Sequence, residues 1–297
     1  MESRSIQGRL KLAILLTFLV LSVEVVGGLM ANSLALLSDA AHMFMDTFSL
    51  CLSWFALKIS DRPSTRTQTY GYHRVEIFVA LFNGMLLFIL SVGILYEAIQ
   101  RFSHPEEIKT GIVIAVAIVG LLTNLLILYF LRLPLEHTHD LNLKSAFYHV
   151  VGDSLASVGV IVGGVVMIYT GWYAVDAVVG ASIGLLLIWG AKSLIFDSLH
   201  VLLEGVPKGI STHDVERELT SIPAIKDIHE LHIWSICSNI YALSTHALVN
   251  DQKINEVDPI LNEVRRVLKE KFNISHTTIQ FESSPCSDAG IPCVCKH

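Results

Sequence analysis

The chain has 297 residues, of which 52% are hydrophobic and only 16% are charged. Soluble domains carry roughly 25% charged residues, so this composition excludes an ordinary soluble enzyme and a disordered chain and favours a membrane protein with a soluble part. The net charge of −6 gives no basic surface for nucleic acid, which is therefore not an expected partner.

Long apolar segments lie between residues 12 and 200. A helix needs about 20 apolar residues to cross the hydrocarbon layer of a lipid bilayer, and six segments reach that length: 12–31, 34–58, 76–100, 110–132, 145–171 and 176–200. Each backbone amide inside the lipid must find its partner within its own segment. We therefore expect a multi-pass membrane protein with six transmembrane helices.

Basic residues are distributed unevenly around these segments. The N-terminal tail and the second and fourth loops carry Lys and Arg, the third loop carries Arg101 and Lys109, and the first and fifth loops carry none. Cytoplasmic loops are the basic ones in membrane proteins. Both termini are therefore expected in the cytoplasm.

The composition changes at the turn-rich stretch Gly205–Gly209. We expect a transmembrane domain at 1–204, a cytoplasmic domain at 205–284 and a Cys-containing tail at 285–297. Within the cytoplasmic domain the hydrophobic pattern predicts helix, strand, strand, helix and strand.

The expected elements of the cytoplasmic domain are a helix at 211–221 with Ser211 as N-cap, strands at 225–237 and 240–249, a helix at 257–272 and a strand at 277–281. This order predicts a small α+β domain that is ferredoxin-like in order but abbreviated. The predicted fold is thus an α-helical membrane protein, with six transmembrane helices followed by a small α+β ferredoxin-like cytoplasmic domain.

Three of the five cysteines crowd into the tail. They are Cys286, Cys293 and Cys295. A disulfide framework would spread its cysteines through the soluble domain. We therefore expect a reducing compartment and a tail that binds metal.

Ionisable residues inside the spans carry the main functional signal. The second span contains His42 and Asp46, and the fifth contains His149 and Asp153. Each pair is spaced i, i+4, so both side chains project from one face of a helix. Packed face to face, the two helices would supply two imidazoles and two carboxylates, a set suited to tetrahedral Zn²⁺.

The alternative interpretation is that these four residues are hydrogen-bonding struts between helices. A carboxylate in the middle of a membrane costs about 2.5–3.5 kcal/mol on the mildest scale. Two such carboxylates at matched spacing favour the metal site. The mixture of imidazole and carboxylate favours Zn²⁺, with Co²⁺ and Cd²⁺ as competitors.

Other polar residues of the spans have less specific patterns. Asp39 either faces a funnel that leads to the metal or caps the start of the second span. Glu24, Asn83 and Asn124 are expected to be hydrogen-bond partners between helices. Asp176 lies at the end of a span, where an exposed position is expected.

The complete four-ligand set favours transport over hydrolysis. A catalytic metal keeps an open position for water, and the chain has no His-Glu-x-x-His motif. We therefore expect a protein that is not an enzyme. A membrane-bound zinc sensor without flux is the alternative function.

Several stretches of the chain, together with the paired ligands, resemble the cation diffusion facilitator family and its zinc-transporting branch. They are Ser38–Met43, Tyr70–Glu76, Leu203–Pro207, Leu231–Trp234 and Thr278–Glu282. The resemblance implies a homodimer that exports divalent metal from the cytosol in exchange for protons. It implies that the four ligands of the second and fifth spans form the transport site. It also implies that Arg74 and Glu204 form a charge pair that helps to lock the dimer.

The resemblance also implies a cytoplasmic metal site, with Zn²⁺ as regulatory ligand as well as substrate. Its matching positions are His229, His246 and Glu282, with His276 nearby. One position of this site that is often His in the family is Gln280 here. The cysteines of the tail are candidates to replace that missing ligand. The short loop at 136–140 favours the inner (cell) membrane of a prokaryote.

Metal ligands must be deprotonated, so metal and protons compete for the same groups. The unperturbed pKa of His is about 6.5, which lies within the range of cellular pH. We therefore expect the transport site to load Zn²⁺ while it loses protons on one side, and to do the reverse on the other.

Overall fold

The computed structural model describes residues 2–135, 141–237 and 240–284. Within these ranges the side chains of 2–15, 130–135, 141–146, 148, 149 and 254 lie outside the description. The chain forms two compact units, Met1–Leu52 with Phe82–Ser193, and Ser53–Leu81 with Leu194–His297.

Helices occupy all six predicted apolar segments. They are α1 (Glu2–Ala31), α2 (Leu34–Ser60), α3 (Arg74–Ser103), α4 (Thr110–Leu135), α5 (Leu141–Thr170) and α6 (Ala174–Leu202). In the described part of the chain, five of them, α2 to α6, are long and apolar enough to cross a membrane, and the described apolar part of α1, Leu16–Ala31, is shorter. These lengths establish a helical membrane domain.

Small residues let helices of the first unit approach closely. A Cβ at Gly164 of α5 would lie 2.6 Å from Ile114 Cγ1 of α4, and one at Gly27 of α1 would lie 2.5 Å from Val116 Cγ2. Close approach of this kind gives van der Waals packing, which drives helix association where lipid is as apolar as the helices. The helix α4 therefore lies directly against both α1 and α5.

The start of α2 is fixed by a side chain of α6. Asp176 is only 1% exposed, and its carboxylate accepts hydrogen bonds from Ser33 Oγ at 2.5 Å and from Leu34 N at 2.6 Å. The expected exposed position of Asp176 is therefore wrong, because the unpaired amides at the start of α2 require an acceptor. Asp39 lies inside α2, so it does not cap that helix.

The soluble part of the second unit has the predicted order of elements. It contains α7 (Thr212–Thr220), β1 (Ile225–Cys237), β2 (Ile240–Val249), α8 (Ile254–Phe272) and β3 (Ile274–Glu282). Ser211 caps α7 as predicted, because its Oγ accepts a hydrogen bond from Asp214 N at 3.3 Å. The rest of the second unit is residues 53–81 and 194–204, which contain the end of α2, the start of α3, the end of α6 and the segments that connect them.

Two boundaries differ from the prediction. The helix α8 begins at Ile254 rather than 257, since the side chain of Glu256 accepts a hydrogen bond from Lys253 N at 3.2 Å. The strand β3 begins at Ile274 rather than 277, because Asn273 adopts a left-handed conformation (φ 57°) that ends the helix at once.

The sheet is three-stranded and mixed, in the order β1-β2-β3. β1 pairs with β2 antiparallel, and β2 pairs with β3 in parallel. Strands joined by a helix in a split β-α-β unit are separated by another strand, whereas β2 and β3, joined by α8, are neighbours. The ferredoxin-like relation that we expected therefore extends to the order of the described elements along the chain only.

The apolar faces of α7, α8 and the sheet enclose a core. Its fully buried side chains include Val215, Leu219, Leu243, Val264 and Leu268. The burial of such side chains stabilises this small domain by about 1.5–3 kcal/mol each. This core supports one face of the sheet.

Candidate metal centre

The second and fifth helices bring predicted ligands together in the first unit. His42 Nδ1 of α2 lies 3.4 Å from Asp46 Oδ2, one turn along the same helix, and His42 Nε2 lies 3.8 Å from Asp153 Oδ1 of α5. The side chain of His149, the fourth predicted ligand, lies outside the described set. One imidazole is thus flanked by carboxylates from two separate helices.

These three side chains are partly buried, with 26%, 35% and 13% of the His42, Asp46 and Asp153 side chains exposed. An imidazole and two carboxylates are ligands of Zn²⁺ and related divalent ions. Both nitrogens of His42 face a carboxylate, so a proton on the imidazole and a cation between the groups compete for the same oxygens. The arrangement suits reversible binding of a cation.

Two further carboxylates lie near this site. Glu24 of α1 and Asp39 of α2 are 2% and 3% exposed. Glu24 was expected to hydrogen-bond to another helix, yet its Oε2, like Asp39 Oδ1, has no hydrogen-bond partner among the described residues. Both residues stand out in the sequence, since an ionisable residue inside an apolar span is rare. The sequence alone did not predict that both are buried.

A second cluster lies on the three-stranded sheet of the second unit. His229 of β1 pairs across the sheet with His246 of β2, and their rings are 5.2 Å apart. Glu282 of β3 lies 3.2 Å from His229 Nε2 and 2.9 Å from His246 Nδ1. One ligand atom from each residue falls within 4.8 Å of the others, close enough for a single ion to bind all three.

Among the described residues, the predicted neighbour His276 does not join this cluster. The ring of His276 instead lies 6.3 Å from that of Tyr70, and both line a cavity of about 420 Å³. His232 lies 3.3 Å from Glu230 Oε2. Cys286, Cys293 and Cys295 lie outside the described residues.

The same cavity contains a histidine to which the sequence assigned no role. His73 Nδ1 lies 3.1 Å from Ser60 Oγ, and both residues line the cavity together with His276. The only signal in the sequence was that His73 belongs to the stretch Tyr70–Glu76, which carries the resemblance. Only folding brings the two imidazoles to one cavity.

The predicted charge pair is formed within one chain. Arg74 Nη2 lies 3.1 Å from Glu204 Oε1, with 41% and 63% of the two side chains exposed. Arg74 begins α3, and Glu204 follows α6 with a left-handed backbone (φ 61°). The pair therefore joins the ends of two helices at a solvated position.

Comparison with protein families matches nearly the whole chain. Residues 10–203 match the family described as "Cation efflux transmembrane domain", and residues 207–284 match "Cation efflux protein, cytoplasmic domain". A solved structure described as the metal-bound C-terminal domain of the CzcD transporter from Cupriavidus metallidurans is 36% identical. It covers 25% of this chain and 99% of its own, with a TM-score of 0.23.

Curated relatives match over most of their length. The metal cation efflux system protein CzcD of Cupriavidus metallidurans is 42% identical, covering 94% of this chain and 88% of the relative. A cadmium, cobalt and zinc/H(+)-K(+) antiporter of Bacillus subtilis is 37% identical (93% and 90% covered), and the zinc transporter ZitB of Escherichia coli is 35% identical (89% and 83% covered). This chain belongs to the cation efflux family, a family of metal transporters also called cation diffusion facilitators.

Proposed function

We propose that this protein transports divalent metal, exporting Zn²⁺ from the cytosol in exchange for protons, with Co²⁺ and Cd²⁺ as competing substrates. The observation that carries the proposal is the contact of His42 with Asp46 on its own helix and with Asp153 on another. Relatives named as a zinc transporter and as a cadmium, cobalt and zinc antiporter support it.

The chemistry of His42, Asp46, His149 and Asp153 explains both directions of exchange. The side chains bind metal only when deprotonated, and an imidazole changes its charge within the cellular pH range. A site open to the cytosol takes Zn²⁺ and releases protons, and the same site open to the other side does the reverse. Rocking of helices around a fixed site gives this alternating access.

The proposed architecture is a homodimer in the inner (cell) membrane. Each protomer has six transmembrane helices at 1–204, a cytoplasmic domain at 205–284 and a tail at 285–297, with both termini in the cytoplasm. Arg74 and Glu204 form the charge pair at its helix ends. An exposed ion pair contributes about 0–1 kcal/mol, so this pair would help to lock the dimer by a small amount only.

The cytoplasmic cluster is proposed as a regulatory Zn²⁺ site. His229, His246 and Glu282 come from three adjacent strands, so an ion bound there links β1, β2 and β3. Three protein ligands leave a fourth position of a tetrahedral ion open. A cysteine of the tail is the proposed fourth ligand.

The test is zinc uptake into sealed vesicles that contain the purified protein. Asp153→Asn removes a carboxylate ligand while keeping the shape of the side chain. We expect uptake to fall to about a tenth of wild type or less, since even outer partners of metal ligands cost 10–100-fold when lost. Glu97→Gln on α3, outside the site, makes the same chemical change and should leave uptake intact.

Two results would contradict the proposal. Undiminished uptake by Asp153→Asn would show that Asp153 is not a ligand of the transport site. Zinc binding by the wild type without accumulation in the vesicles would instead favour the sensor.

A further inference from the structure

Glu24 of α1 and Asp39 of α2 are buried acids that find no counter-charge among the described side chains. They are 2% and 3% exposed, and Glu24 Oε2 and Asp39 Oδ1 have no hydrogen-bond partner in the described part of the chain. A buried polar group without a partner is costly, and a buried charge without a counter-charge costs much more. Two such carboxylates in a membrane domain therefore need either a bound cation or a proton to neutralise them.

Neither residue of the pair is one of the four predicted metal ligands. Asp39 precedes His42 by three residues, which places it about 4.5 Å closer to the start of α2 along the helix axis. The buried side chains of Val20, Leu21, Ala40 and Met43 pack α1 against α2 at this level. Glu24 itself is on a helix that supplies none of the four predicted metal ligands.

The charges that act on Glu24 are negative. Among the described groups of the neighbouring helices, Asp39 and Asp153 interact electrostatically with Glu24, and Asp153 also interacts with Asp39. His42 lies beside Asp153. The helix α4 offers no ionisable side chain over residues 110–128.

The packing around Glu24 selects the smallest cation. A Cβ on Gly120 of α4 would lie only 2.8 Å from Glu24 Oε1, so no space for even a methyl group separates the carboxylate from that helix. A metal ion of the Mg²⁺ or Ca²⁺ class needs about six or more oxygen ligands at roughly 2.0–2.6 Å. Two buried carboxylates whose charges interact instead suit one proton held by the pair.

We propose that Glu24 and Asp39 hold an exchangeable proton apart from the metal ligands, and that the charge of Asp153 couples this proton to the metal. The inference rests on the proposed function, because it names a second group that serves the exchange of metal for protons. Binding of a cation at Asp153 offsets the negative charge that keeps the proton on the pair. The proton then leaves the pair. Because coupling between two sites acts equally in both directions, a proton that returns to the pair lowers the affinity of the site for metal.

The test counts the protons that the full-length protein releases when it binds Zn²⁺. Calorimetric titration of the purified protein with Zn²⁺, in buffers of different protonation enthalpy, gives this number. In Glu24→Gln the amide replaces the carboxyl without carrying the exchangeable proton. We expect the variant to bind Zn²⁺ and to release about one proton fewer per protomer than wild type.

Two further variants make the result specific. Asp39→Asn should lower the proton count by the same amount, since one proton is shared by both residues, and it also decides the matter if Glu24→Gln does not fold. Glu97→Gln is the matched control, because Glu97 pairs with Arg101 on α3 away from the site, and its count should equal that of wild type.

Wild-type proton release in folded, metal-binding Glu24→Gln or Asp39→Asn would overturn the inference. A failure of the proposed transport is visible separately, as absent zinc uptake by wild-type vesicles. Because the calorimetry needs binding and not flux, the proton count would still decide whether the pair carries the proton.

Discussion

At the scale of the residue, Asp176 shows how one buried carboxylate positions a ligand-bearing helix. It accepts from Ser33 Oγ, Leu34 N and Ala35 N. The first amides of a helix have no partner inside the helix, and here a residue more than 140 positions away in the chain supplies it. His42 and Asp46 lie two to three turns further along α2, so their position depends on this anchor.

Asp176→Ala should lower the thermal stability of the protein in detergent. The change leaves buried donors at Ser33, Leu34 and Ala35 without an acceptor, at a cost of about 1–3 kcal/mol for each buried group left unsatisfied. We expect a fall in melting temperature of several degrees, measured by intrinsic fluorescence on heating. The control is Asp197→Ala, which breaks an exposed pair with Lys208 and should change little; equal melting temperatures for the two variants would contradict the assigned role.

At the scale of the element, apolar segment length predicts the helices well. Helices cover all six segments because lipid leaves the backbone no alternative, and the alternating pattern places β1 and β2 at the expected residues. The pairing of β2 with β3 and the burial of Asp176 were not predictable in this way. Both depend on contacts between residues far apart in the chain, which periodicity does not encode.

Glycines of α5 provide a matched test of helix packing. A Cβ at Gly164 would meet Ile114 Cγ1 of α4 at 2.6 Å, whereas a Cβ at Gly159 meets nothing within 4 Å. Gly164→Ala should therefore push α4 and α5 apart and lower the melting temperature. Gly159→Ala should be neutral or slightly stabilising, since Ala is favoured over Gly in a helix by about 1 kcal/mol. Equal effects of both substitutions would show that close contact at Gly164 does not hold the helices together.

At the scale of the whole molecule, two clusters of candidate metal ligands occur in two different parts of the chain. The spacing of His42 with Asp46, and of His149 with Asp153, was visible because a single helix carries each pair. The cluster of His229, His246 and Glu282 spans three strands, so it entered through resemblance to a family and not through spacing. Its geometry brings one ligand atom from each of two imidazoles and one carboxylate within 4.8 Å of the others.

The cytoplasmic cluster should set the metal concentration at which transport is activated. Glu282→Gln removes the carboxylate that contacts both His229 and His246. Loss of even an outer partner of a metal ligand weakens metal binding by about 10–100-fold, so we expect at least that loss here. In vesicles oriented with this domain outward, we expect the initial uptake rate of the variant to need correspondingly more Zn²⁺ for half-activation. Its maximal rate should match wild type, because the transport ligands are unchanged. His213→Asn, on the exposed surface of α7, is the control and should follow the wild-type curve. Superimposable curves for Glu282→Gln and wild type would exclude a regulatory role for this cluster.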